Sequence, residues 1–292
     1  MGINFNTNSI INNIYFRGTE APKRNIIPQT PPDTFVRESE EVKYKRILEE
    51  LFPNNELMQI YHDMCKELEI DYPPKLIIGK ESDKKIGGGY YCTKHCINLD
   101  YKDLLGSTTK VYGIKDGEKR LQMSNALLLP VIVDPFSAMI LEDSPTAAKN
   151  AGVDKLVAVP ATIEDRRKLV LQKLYHEIIH AQQHMIMRQT EGIGIKEVFK
   201  AWHHAPKNLN PAQKLLLDNA VEKNYKDSFW ATHPTETKYT YDSEMGQLAQ
   251  KYLDGVQNYT AVDSAEYLEN ILEKEAYQKS AEYIIERYGE WT

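Results

Sequence analysis

The chain has 292 residues, 41% hydrophobic and 27% charged, with a formal net charge of −6. That length suits one large domain, or a domain with a tail, and provides ample material for a core. The mild acidic balance lacks the basic footprint of a nucleic-acid binder, and no apolar run approaches the roughly 18 residues of a membrane span.

Three cysteines do not make a disulfide framework. The opening Met1-Gly2-Ile3-Asn4-Phe5-Asn6 lacks the basic-then-apolar pattern of a secretory signal. It also lacks Ser or Thr at position 6, which a myristoylation motif wants. A reducing, cytoplasmic setting is the default expectation, with non-classical export as the alternative.

Residues 1–40 are rich in Asn, Pro and Thr and show no sustained period. Pro22, Pro28, Pro31 and Pro32 exclude a long helix. This stretch reads as a disordered or extended tail, with a pro-segment covering a cleft as the functional alternative. An ordered domain is expected over 41–292.

Helices are expected over 41–51 and 56–69, separated by Pro53-Asn54-Asn55, and Cys65 on the second is a small core residue. Leu76-Ile77-Ile78 follows two prolines and reads as a strand. Residues 87–99 read as a hairpin turning near Thr93-Lys94-His95. Cys92, His95 and Cys96 sit round its tip; without an evident fourth ligand they read as two thiols and a histidine, not a second metal site.

Further strands are expected over 110–113 and 127–133, the latter demoted to an edge or bulge by Pro130. Residues 136–141 read as a short helix and 142–160 as loop. The stretch from Thr162 to Gln189 contains no Pro or Gly and reads as one helix. Thr162 with Asp165 resembles a capping box, and Leu171, Leu174, Ile178, Ala181 and Met185 make an apolar stripe.

This helix carries His176-Glu177-Ile178-Ile179-His180, an H-E-x-x-H pattern. Residues four apart share a helix face, so both imidazoles can aim at one tetrahedral Zn²⁺ about 2.0–2.1 Å away. Glu177, one step round the helix, can reach a water on the metal instead of the metal itself, the position of a general base. At about 100° per residue the two histidines lie opposite the apolar stripe. Such a helix packs one face on the core and presents the other to a cleft.

Glu177-x-x-His180 also fits a di-iron bundle, but that needs a second E-x-x-H. None of the other six histidines has Glu three residues before it. His184 would lie about 12 Å along the axis from His176, too far to share an ion, and reads as a rim residue.

A catalytic zinc wants three protein ligands and one open position. After short helices over 195–202 and 210–224, the latter capped by Asn210 with Pro211 in its first turn, residues 230–241 look irregular. Asp242 or Ser243 then caps a helix ending near Gly255. Residues 264–288 read as one long helix stopped by Gly289. Projected along it, Glu275 falls inside the apolar arc of Leu268, Ile271, Leu272 and Ile285, while Glu273 and Glu266 point away. A carboxylate on such an arc is costly unless paired or metal-bound. Glu275 is therefore the expected third ligand and Glu282 the runner-up.

With His176-Glu177-Ile178-Ile179-His180-Ala181-Gln182-Gln183 followed by Glu273-Lys274-Glu275-Ala276, the chain resembles zincin metallopeptidases of the gluzincin type, in particular small bacterial families with H-E-x-x-H-x-x-Q and a later E-x-E-A. The likeness covers the two helices and a strand before them, not the first third of the chain. It departs from the thermolysin-like N-x-x-x-E form, because Ile271 stands four residues before Glu275. The resemblance implies an α+β, zincin-like fold, with a small mixed or antiparallel sheet, the motif helix and a mostly helical C-terminal half. It implies a zinc metallopeptidase acting on a peptide or protein; the charge balance and the lack of a long apolar run give the expectation of no nucleic-acid or membrane partner.

It further implies that Gly88, Gly89 and Tyr90 form the rim strand that pairs with extended substrate. A His or Tyr of the C-terminal half would stabilise the oxyanion, with His233, Tyr239, Tyr241 and Tyr277 all open. Two other readings stand beside it. One is a non-catalytic or latent zinc-binding module; the other is an effector-like protease specific for one protein.

Overall fold

A computed structural model describes residues 39–79, 88–100, 105–120, 131–204, 208–260 and 265–291. The expected N-terminal tail therefore lies outside the described residues, apart from Ser39 and Glu40. So do parts of the expected 127–133 strand and of the 264–288 helix start.

The architecture is mixed α and β, with two small sheets and a larger share of helix. Helices α1 (Glu40–Leu51) and α2 (Glu56–Glu67) flank a short 3-10 turn, Pro53–Asn55. The first sheet has the order β1-β3-β2, from β1 (Lys75–Ile78), β2 (Gly88–Tyr91) and β3 (Cys96–Leu99). β1 runs parallel to β3, and β2 pairs antiparallel with it in the register Tyr90↔Ile97. The hairpin expectation holds, with His95 taking a left-handed φ of 46° at the turn.

The second sheet centres on β4 (Thr109–Lys115), which pairs antiparallel with β5 (Glu118–Arg120), β6 (Val131–Val133) and β7 (Lys155–Pro160). Helices α3 (Pro135–Glu142) and α4 (Pro145–Asn150) cover one side, burying Val111, Val133, Ala138, Leu141 and Leu156 together. The 142–160 stretch is thus not loop. Pro145 begins α4 under the Ser144 cap, and Leu156 anchors a strand.

The motif helix is α5 (Ile163–Arg188). Its start is a full capping box: Asp165 N–H donates to Thr162 Oγ1, and Thr162 N–H donates to the Asp165 carboxylate. The same carboxylate takes Lys110 Nζ of β4 at 3.0 and 2.8 Å in a buried ion pair, which pins the helix to the second sheet.

All five residues of the expected stripe are buried in the main core, against Tyr61 and Met64 of α2, Ile97 of β3, and Ala276 and Ile284 further along. The opposite face is not open. His176, Glu177 and His180 are each at most 2% exposed, so the middle of α5 is enclosed on every side.

Enclosure comes from α6 (Gly194–Trp202), α8 (Glu244–Gln257), α9 (Ala265–Glu269) and α10 (Ile271–Tyr288), while α7 (Pro211–Lys226) packs outside them. Ile186 and Met187 of α5 share a second core with Val198, Ala249, Tyr252 and Leu272. The single long C-terminal helix expected from sequence is broken. Asn270 adopts extended backbone, φ −62° and ψ 130°, and its side chain caps the new helix by accepting from Leu272 N–H. Among the described residues no helix is long and apolar enough to cross a membrane.

Candidate metal centre

One turn of α5 brings the His176 and His180 Nε2 atoms to 2.9 Å from each other. The third group beside them is Glu273, whose two carboxylate oxygens lie 3.4 Å from the two Nε2 atoms, one each. Four ligands at 2.0–2.1 Å round a tetrahedral ion stand about 3.3 Å apart. The donor set and its spacing therefore fit one such cation. Among the described residues, His176, His180 and Glu273 form the group that could hold a metal ion.

Glu275, the ligand expected from sequence, is elsewhere. Its carboxylate accepts from Gln183 Nε2 at 2.9 Å and Tyr252 Oη at 2.5 Å, and it pairs with Lys279. Glu282 is exposed and accepts from Gln278. The physical reason is that two residues of the expected arc do not face the core: Leu268 belongs to α9, beyond the break at Asn270, and both it and Ile285 are exposed. The buried stripe of α10 runs instead through Leu272, Ala276, Ser280 and Ile284, and Glu273 lies on it. The signal was present: Asn270 stands three residues before Glu273, the spacing of a helix-start signature.

Glu275 still serves the centre, through Gln183. The Gln183 amide donates to Leu272 O and to Glu275, which fixes its NH₂ end. Its oxygen is then the atom 2.9 Å from His180 Nδ1. An amide oxygen only accepts, so Nδ1 carries the proton and the Nε2 lone pair faces the cluster. Such a partner on the far nitrogen is the usual support of a metal-binding histidine.

Glu177 is 1% exposed. One oxygen accepts the Tyr90 backbone N–H at 2.7 Å. The other, Oε1, has no hydrogen-bond partner among the described residues. Burial raises its pKa well above the carboxylate range, and the neighbouring Glu273 charge adds to that. For Glu273, burial also pushes upward, but the imidazoles of His180 and His176 and the Tyr259 hydroxyl outweigh it and hold the group at about 2. The surroundings thus push the two acids in opposite directions within one small space, and a raised proton affinity at Glu177 suits a group that must accept a proton. Burial lowers His176 to about 4, which keeps it neutral and able to donate a lone pair.

Gly88, Gly89 and Tyr90 lie on β2, the outer strand of the first sheet, and the Tyr90 N–H bond to Glu177 turns that edge toward α5. Among the four expected oxyanion residues, Tyr277 packs on the centre, with its ring 4.7 Å from that of His176. His233 stacks on Phe229, Tyr239 bridges Thr190, and Tyr241 is 49% exposed. His184 is buried between the rings of Tyr90 and Trp202. His95 bonds the Tyr90 hydroxyl at 2.9 Å and the Tyr72 carbonyl, and all three cysteines are free thiols. No family model, curated protein or solved structure matches the chain.

Proposed function

We propose that the protein is a zinc-dependent metallopeptidase with a zincin-like α+β fold. The observation that carries this reading is the buried convergence of His176, His180 and Glu273, with Glu177 alongside and supplied with one unbonded oxygen. When bound, zinc would polarise a scissile carbonyl and bring the pKa of a water ligand down to about 7.

Glu177 would take the proton of the attacking water on Oε1 and pass it to the leaving amine. The Tyr90 N–H on its other oxygen keeps the carboxylate turned toward that task. Tyr277, held protonated by burial, would donate to the developing oxyanion. Gly88, Gly89 and Tyr90 would present backbone to an extended peptide.

The test is Glu177→Gln in purified protein assayed on a mixed peptide library. The expected result is loss of hydrolysis with zinc content unchanged. The near-complete burial of the cluster favours a second reading, a non-catalytic zinc-binding module. In that case the parent cleaves nothing and Glu177→Gln alters no measured property.

A further inference from the structure

The Glu273 carboxylate is fully buried, and each of its oxygens accepts one phenol. Tyr259 Oη donates to Oε1 at 2.6 Å and Tyr267 Oη donates to Oε2 at 2.8 Å. The two donors come from different elements, Tyr259 from just beyond the end of α8 and Tyr267 from α9. Their rings meet edge to face at 5.7 Å and 89°, so each steadies the other. Trp202 of α6 backs Tyr259 at 5.5 Å.

The terminal torsion of a glutamate is broad and roughly two-fold, so packing of the chain alone does not set the plane of its carboxylate. One hydrogen bond to each oxygen does set it. It also leaves each oxygen a lone pair for the side where His176 and His180 stand 3.4 Å away.

We propose that Tyr259 and Tyr267 are positioning residues that clamp the Glu273 carboxylate in the orientation of a third metal ligand, so that the centre is formed before the cation arrives. This rests on the metal-site reading above. It adds that ligand geometry is set by two phenols contributed from outside α5 and α10.

The experiment is zinc affinity by chelator competition on the full chain, comparing the parent with Tyr259→Phe, Tyr267→Phe and the double variant. Tyr283→Phe is the control, a buried α10 tyrosine that stacks on Tyr175 instead of meeting the centre. Each single clamp variant should bind zinc about 10–100-fold more weakly, as loss of a supporting partner does in other sites, and the double variant more weakly still. The control should keep parental affinity. In cobalt-loaded protein the visible absorption bands should shift in the clamp variants and not in the control, which a merely structural role would not produce.

Tyr259 is only half-buried, so Tyr259→Phe decides the matter even if Tyr267→Phe does not fold. Parental affinity and an unshifted cobalt spectrum in a folded Tyr259→Phe would overturn the proposal while leaving the metal site standing. A parent that binds no metal at these residues would overturn both.

Discussion

Tyr277 packs its ring against His176 and keeps its proton, because burial and the charges of Glu273 and Glu177 all disfavour the phenolate. A neutral phenol beside the cluster is a donor, and a donor aimed at a developing oxyanion is worth about 10²–10³ in kcat. Under the proposed hydrolytic mechanism, Tyr277→Phe should lower kcat by about that factor and leave zinc content unchanged. Steady-state kinetics with elemental analysis on the same sample checks both halves. Equal kcat in the variant would remove Tyr277 from the mechanism. Gln183 shows the same economy of roles: its amide meets His180 on one side and Glu275 on the other, so the acid expected to be a ligand instead buttresses, through Gln183, a histidine that could be one.

At the scale of elements, the join between α8 and α10 decides where Glu273 stands. Asn270 caps α10 and donates its side-chain N–H to Gly255 O at 2.8 Å. Gly255 is required for this approach: a Cβ there would come within 2.9 Å of Ile271 Cγ2 and 3.0 Å of Asn270 Oδ1. Gly255→Ala should push α10 away, lowering the melting temperature and zinc affinity together. An alanine variant with both properties intact would show that the join does not set the ligand.

The same join marks the limit of what the sequence shows. The capping box at Thr162, the full length of α5 and the convergence of His176 with His180 were all legible, because capping and helical spacing are local. Glu273 was not, because which face of α10 meets the core is decided by tertiary packing, which leaves the apolar Leu268 and Ile285 exposed and buries Ala276 and Ser280. The enclosure of α5 was equally hidden, since the helices that cover its second face reach it only through the tertiary fold. The α4–β7 stretch was missed for a similar reason, its strand being specified by pairing with β4.

At the scale of the whole molecule, the protein also buries two histidines that are not part of the candidate metal cluster. Burial holds His95 at about 4 and His184 at about 3, against an ordinary value near 6.5. The unfolded chain therefore binds these protons first as pH falls. The stability from keeping the rings neutral is full above about 6.5 and is lost progressively toward 4, at up to about 1.4 kcal/mol per pH unit for each histidine. Asp165 adds a second loss at lower pH. Despite burial, Lys110 and the Thr162 cap hold its carboxyl below the ordinary range, so its contribution disappears as pH falls through the acid region below 3.8. Urea unfolding at a series of pH values should show stability declining from pH 7 to 5, and a flat profile would contradict this.

On the proposed reading, His176, His180 and Glu273 together hold one divalent cation. Elemental analysis of three purified proteins, the parent, Glu273→Ala and Glu275→Ala, tests it most directly. Near-stoichiometric zinc is expected in the parent, with retention in Glu275→Ala and loss in Glu273→Ala. Zinc retained in Glu273→Ala but lost in Glu275→Ala, or absent from the parent, would contradict it.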